Sequence, residues 1–438
     1  MVIIMARRGR VSAGTVFMLL LTALAVIGSI LFFVLLVGDD LYERTGEFVR
    51  TLAEDGLFDA EMVYLNIPEP TPVANLWLED TPAPTAPPAT PTPVPAPVTI
   101  SIAAAGAVYA PKAVRESAML AADYDFDAVF AGLGDTLSEA DLAIATLETT
   151  AAGRDKGFDH YNTAPEILDA LRGCGVDLLS LATEHMLDKD YEGLDLTVSE
   201  ITARGLSYAG VQTEEENPAA MIFVGGVQVA VLAYTYGLSA EGAALTSGDQ
   251  RAAAALMDRQ KMVSDIRQAR VDGADVVIVL PHWGTKNIAD VPVNVQWLAG
   301  ELAQAGADII LGTHPNVPQR TERIRTTRSD GLEYETVVCY SLGNLLTDAR
   351  TQENTAGMVA HVNVTHDPVT RRTTLGEMYC TPVYIARQRV QEETVYRVVD
   401  AESAKALEML TPEEQQAAQA AVQHIREVTQ TDNQEGQG

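Results

Sequence analysis

The chain is short of positive charge. Against 60 aspartates and glutamates it carries 30 lysines and arginines, a formal net charge of −30 over 438 residues. A protein that tracks nucleic-acid phosphates needs a basic footprint, so this balance argues against a nucleic-acid partner. It also argues against broad electrostatic capture of any polyanion; an anionic polymer would have to be handled at a local site. The bulk of the acidity reads as solubility. Cysteine is scarce as well, with only Cys174, Cys339 and Cys380. Their spacing excludes a zinc knuckle and a dense disulfide framework. Cys174 and Cys339 adjoin apolar runs, where buried thiols are common. One disulfide stays open, its pairing unassigned.

What is present is enough apolar residue, 47% of the chain, to build a sizeable core. Length and composition together suggest one or two domains with attachments. Residues 1–10 are basic through Arg7, Arg8 and Arg10 and read as a cytoplasmic N-terminus. Residues 11–37 form an uncharged apolar run, long enough to cross ~30 Å of hydrocarbon as a helix. Acidic residues Asp39, Asp40 and Glu43 follow, so the rest of the chain is expected outside the membrane. A cleaved signal peptide would have a shorter apolar region ending in a small-x-small site, and the end of this run, Leu35-Leu36-Val37-Gly38-Asp39, offers none; a retained single-pass anchor in the cell membrane is expected. Residues 38–66 read as a juxtamembrane stalk. Residues 67–97 are rich in proline, threonine and alanine, hence an extended, semi-rigid spacer. A folded domain is expected over 98–390, then a C-terminal helix and disordered tail over 391–438.

Within 98–390, strand and helix patterns alternate. Strands are predicted over 98–104, 141–147, 176–182, 274–280 and 307–311, and helices over 116–140 with a break near Gly132 and Gly134, 165–173, 191–204, 252–271 and 293–305. Hairpins are predicted to turn at Gly225-Gly226 and at Ser329-Asp330-Gly331. Later strands fall over 357–364 and 375–385, and a helical tail over 402–428. Parallel-type units mixed with hairpins point to an α/β fold of two packed sheets flanked by helices.

The polar residues fall in a telling place. Four apolar strand candidates run into ionisable side chains: Glu148, the pair Glu184-His185, His282 and His314. Sites in α/β folds gather outside the carboxyl ends of strands. Imidazoles and carboxylates converging there could hold a divalent metal that polarises a substrate oxygen or activates water. Any one of these residues alone reads as a turn, core or helix-starting group. The recurrence carries the reading.

At these residues the chain resembles a family. The stretch 175–188, with Thr183-Glu184-His185 and then Asp188, resembles the CapA segment in which a strand ends in Ala-Asn-Asn-His with Asp just beyond. Thr146-Leu147-Glu148 is similar to its Asn-Leu-Glu, and His282-Trp283-Gly284 matches its His-Trp-Gly. The stretch 306–317, ending Thr313-His314-Pro315-Asn316-Val317, resembles its Gly-His-His-Pro-His-Val, and Tyr340-Ser341-Leu342-Gly343-Asn344 matches its Tyr-Ser-Leu-Gly-Asn. The resemblance implies a four-layer αββα sandwich of calcineurin-like metallophosphoesterase type. It also implies a part in the synthesis or export of poly-γ-glutamate or a related surface polymer, with other capsule-polymer synthesis subunits as partners. It implies a site with His185 and Glu148 as catalytic groups. Glu148, Glu184, His282 and His314 would be ligands to manganese, zinc or magnesium, with Asn316, Asn344, Asp188 and Trp283 in support. The chain departs from the pattern in three places. Where the first strand of the family ends in Gly-Asp, Gly106-Ala107 has no acid. Thr183 and Glu184 replace two asparagines. Thr313 and Asn316 replace two histidines. Either one metal is held by altered ligands, Glu184 making good the lost charge, or the site is degenerate and the domain binds or scaffolds without catalysis.

Overall fold

The computed structural model describes residues 95–430 apart from 122, 159–160, 213–218 and 329–330. The expected segments over 1–94, including the anchor at 11–37, the stalk and most of the spacer, lie outside the described residues, as does 431–438. Among the described residues no helix is long and apolar enough to cross a membrane.

The strands in chain order are β1 (Val98–Val108), β2 (Met119–Leu120), β3 (Asp123–Tyr124), β4 (Leu142–Leu147), β5 (Leu178–Ser180), β6 (Ser207–Ala209), β7 (Ala219–Val224), β8 (Val227–Thr235), β9 (Val276–His282), β10 (Ile309–Leu311), β11 (Thr321–Thr327), β12 (Glu333–Cys339), β13 (Asn344–Leu346), β14 (Ala356–Asp367), β15 (Arg372–Leu375), β16 (Tyr379–Val390) and β17 (Glu393–Asp400). The larger sheet runs β17-β16-β14-β1-β4-β5-β6, with β13 on β1 and β15 on β14; the smaller runs β11-β12-β10-β9-β8-β7. β1, β4, β5 and β6 are parallel neighbours, as are β8, β9, β10 and β12. The flanks are antiparallel, through β14, β16 and β17 in one sheet and the hairpins β7–β8 and β11–β12 in the other.

Side-chain alternation makes the layers. Successive residues of a strand face opposite ways. Ile100, Ile102, Ile144, Val229, Val231, Ile278 and Ile309 therefore share one core between the sheets. On the outer face of the larger sheet, Ala103, Ala143, Ala145 and Leu179 pack under Ile167, Leu171, Leu194 and Ile201 from helices Glu166–Gly173 and Asp190–Ala203. On the outer face of the smaller sheet, Leu232, Val277, Val279 and Ile310 pack under Met262, Ile266, Ala299 and Leu302 from helices Arg259–Val271 and Val293–Ala305. Helix, sheet, sheet, helix is the expected αββα order.

Three expectations need correction. The span 116–140 holds less helix than its pattern suggests: two short helices, Lys112–Ser117 and Asp127–Phe130, flank the β2–β3 ribbon ahead of the break expected near Gly132. Gly132 is then pressed against β17, where a Cβ would meet Val399 Cγ1 at 2.5 Å and Val398 O at 2.7 Å. The span 252–271 becomes helical only at Arg259, capped by Asp258 through Lys261 N–H at 2.8 Å. Before it, the chain lies extended on the end of β8, Thr235 N–H donating to Ala255 O at 2.9 Å and Met257 N–H to Thr235 O at 2.8 Å. Finally, the folded body does not stop at 390. That residue ends β16, and β17 pairs back along it from Val383↔Asp400 to Val390↔Glu393. Helix Pro412–Gln430 then buries Ala418, Ala421 and Ile425.

Candidate functional site

The parallel strands put their carboxyl ends on one rim. From the larger sheet come Glu148, one residue past β4, and Glu184-His185, in the loop after β5; from the smaller come His282, the last residue of β9, and His314, three past β10. The two sheets meet here. All five side chains are buried. Two sets of donor atoms each lie within 4.8 Å of one another: Glu184, His282 and His314; and Glu148, Glu184 and His185.

Glu184 joins the sets. Its Oε2 accepts a hydrogen bond from His282 Nε2 and stands 3.3 Å from His314 Nδ1. Its Oε1 faces the other way, 2.9 Å from Lys286 Nζ and 3.4 Å from His185 Nε2. Burial alone would raise its carboxyl pKa, but the surrounding imidazoles of His185, His282 and His314 outweigh burial and hold it below the usual carboxylate range. Glu148 moves the opposite way, pushed up to about 8 by burial and then by the charge of Glu184, with Lys286 and His185 opposing. It is therefore mostly protonated at neutral pH until a cation arrives.

The histidines are set by their second nitrogens. His185 Nδ1 faces Asp188 Oδ2 at 2.7 Å, and Ser239 Oγ donates to the other oxygen of Asp188. A carboxylate there keeps the proton on Nδ1 and leaves Nε2 to face the pocket. Burial opposes a charge on His185, yet the bond to Asp188 and the nearby carboxylate of Glu184 prevail and raise its pKa. His185 also stacks flat on Tyr161, which stacks in turn on Tyr109. Burial pushes His282 down to about 4, so it is neutral at neutral pH. Its Nδ1 lies 2.9 Å from Thr313 Oγ1. A hydroxyl can donate or accept, so Thr313 permits either tautomer of His282 and lets Nε2 offer a proton to Glu184 or a lone pair to a cation.

The loops that carry these groups are bent by rare backbone. His314 and Asn316 have φ of 95° and 60° without being glycine, a strain that persists where surrounding contacts over-determine it. Here they do: Asn316 O accepts from Asn344 Nδ2 at 3.0 Å and Asn354 Nδ2 at 2.8 Å, while Asn354 Nδ2 also donates to Asn287 Oδ1 at 2.9 Å. Asn316 thus anchors its loop through its carbonyl. Asn344 and Asp188 position other residues. Trp283 does not face the rim: it is buried in the core beneath the outer helices, its indole N–H donating to Tyr340 O at 2.9 Å. Sequence reasoning missed Lys286, Thr313 as a partner of His282, Tyr161 and Asn354. A lysine two residues past Gly284, at the end of a matched motif, was the one signal at hand.

A metal fits these residues. Glu148 Oε2, His185 Nε2 and His314 Nδ1 are buried and make no hydrogen bond among the described residues. Leaving such an atom unpaired costs ~1–3 kcal/mol; a cation held by Glu184, His282 and His314 would satisfy His314 Nδ1. Two imidazoles and a carboxylate suit several divalent ions.

The family model described as "Bacterial capsule synthesis protein PGA_cap" matches residues 101–349. The capsule biosynthesis protein CapA of Bacillus anthracis is 27% identical over 235 residues, 51% of this chain and 55% of that protein. The PGA biosynthesis protein CapA of Bacillus subtilis is 26% identical over 250 residues, 56% of this chain and 62% of that protein. The match thus spans little more than half the length of these relatives. A calcineurin-like phosphoesterase of Bacillus subtilis, YfkN, overlays with a TM-score of 0.39 at 13% identity, covering 75% of this chain and 99% of that one. The matched span runs from β1 past β13 and takes in every strand end that bears a site residue. The chain belongs to the bacterial capsule synthesis family PGA_cap.

Proposed function

We propose that the chain takes part in the synthesis or export of an anionic cell-surface polymer such as poly-γ-glutamate, and that its strand-end site works with one divalent cation. The observation that carries the site reading is the split role of Glu184. Its Oε2 side collects His282 and His314, two nitrogen donors, whereas its Oε1 side already meets the ammonium of Lys286. Lysine there supplies the positive charge that a second metal would bring, which suits a site whose first strand offers Ala107 and no carboxylate. Glu184, His282 and His314 would hold the single cation, which when bound polarises a substrate oxygen or activates water. His185, backed by Asp188, is placed to carry a proton at Nε2. Glu148, mostly protonated at neutral pH, can donate a hydrogen bond. Lys286 can orient an anionic group of the substrate. The apolar run 11–37 and the spacer 67–97 support work at the outer face of the cell membrane, alongside other polymer-synthesis subunits.

Gene deletion with complementation tests the reading. Polymer should be lost on deletion, restored by the unaltered gene, and not restored by His282→Ala. Unchanged polymer in the deletion strain would sink the assembly role. Full restoration by His282→Ala would leave a scaffold that needs no cation. Phosphoesterase turnover by the purified protein with manganese, zinc or magnesium would favour a hydrolase.

A further inference from the structure

A second cavity lies at the opposite ends of the same strands. It has a volume of roughly 270 Å3 and collects Arg270, Arg328, Arg371, Asp275, Asp308 and Tyr334. Asp275 and Asp308 precede β9 and β10, whereas His282 and His314 follow those strands, so this cavity is separate from the rim site. Three guanidinium groups in one pocket stand out in a chain with a net charge of −30.

Each charge can be followed to its partner. Arg270 Nη2 pairs with Asp308 Oδ2, which also accepts Val277 N–H at 2.7 Å. Asp275 accepts Gln228 N–H at 3.0 Å through Oδ2, while its Oδ1 stands 3.3 Å from His366 Nε2 and 3.7 Å from Arg371 Nη2. Arg328 is left over. Its side chain is only 17% exposed, and Nη2 reaches no nearer than 3.6 Å to Asp308 Oδ1. Its Nε and Nη2 are buried without a hydrogen bond among the described residues. The guanidinium lies over Tyr334, 3.9 Å from the ring centroid. Burial lowers its pKa despite Asp308, the mark of a cation whose desolvation is poorly offset. A buried charge that lacks a close partner is costly, and an entering anion would relieve the cost.

We propose that this cavity is a binding subsite for a single carboxylate, held between Arg328 and Arg371. Three arginines against two aspartates leave one positive charge, which matches one singly charged group. Guanidinium planes pair with carboxylates through parallel hydrogen bonds. The pocket stands independently of any polymer role for the chain.

Titration calorimetry of the full chain, stripped of metal and then dialysed free of chelator, with glutarate and separately with inorganic phosphate, tests it. Glutarate should bind, with Arg328→Gln weakening it about tenfold or more, as expected for a charge-assisted pair worth ~1.5–3 kcal/mol. Arg371→Gln should weaken it several-fold; that side chain is 70% exposed, so its removal spares the fold. His282→Ala should leave glutarate affinity unchanged. No binding, affinity unchanged from the native protein in both arginine variants, or tighter binding of phosphate would overturn the assignment. Binding of glutarate but not of a γ-linked glutamate trimer would uphold the pocket while counting against the polymer reading.

Discussion

Glu184 decides how charge is arranged at the rim, because it is one carboxylate with cation-type partners on both oxygens. Glu148 and His282 show the cost of keeping titratable groups dry, and their shifts set opposite pH trends. Glu148 keeps its proton in the folded state up to about 8 and loses it near the ordinary carboxylate value when unfolded. Between those values the folded protein binds more protons, so metal-free stability falls as pH rises through that window. His282 is neutral when folded down to about 4 and charged when unfolded below its usual value of 6.5. There the unfolded chain binds more protons, so this group adds stability as pH rises from about 4 to 6.5. Glu148→Gln should abolish the first trend: thermal melts in EDTA should show the variant gaining on the native protein by up to about 1.4 kcal/mol per pH unit above the carboxylate range. Parallel profiles would show that Glu148 ionises normally. Lys286→Ala should raise the capacity for divalent metal from one equivalent to two, read by elemental analysis; an unchanged count would end the idea that lysine fills a second position. Glu148, Glu184, His185, His282 and His314 could be read from sequence because each follows an apolar run. Lys286 could not, because its reach depends on a loop turned by Gly284 and Asn287 at φ of 89° and 60°.

The same contrast holds for elements. Strands β4, β5, β9 and β10 and helix Val293–Ala305 were evident because local pattern and final packing agree. The region 116–140 has a helical pattern, yet Gly132 is claimed by a strand more than 260 residues away, Asp400 N–H donating to Gly132 O at 2.9 Å. Sequence periodicity cannot register such a long-range bond. β17 was missed for a related reason: it is a partner strand at a sheet edge, and only β16 explains it. Ending the chain at residue 390 should therefore expose β16 and the apolar face that helix Pro412–Gln430 covers; such a protein should aggregate or lose its cooperative melt. Close backbone approach gives another test. A Cβ on Gly106 would fall 2.2 Å from Gly343 O, where β1 meets β13. Gly106→Ala should cost at least about 1–3 kcal/mol in denaturant unfolding, the range for overpacked sites, because the clash is with backbone.

At the scale of the molecule, the proposed anionic substrate would have to be met by local positive charge, because the chain as a whole carries a net charge of −30. The rim supplies that through Lys286 and, in the proposed reading, through one metal ion. The αββα order could be anticipated from alternating units, and the family from five short motifs spread over the domain; metal number could not, since it depends on which oxygen of Glu184 meets which partner. Elemental analysis of the purified protein, after loading with manganese, zinc or magnesium and removal of excess, tests the central claim most directly. The account expects one equivalent of divalent metal per chain, lost in both His282→Ala and His314→Ala. No bound metal under any loading condition, or one equivalent retained when both histidines are replaced, would contradict it.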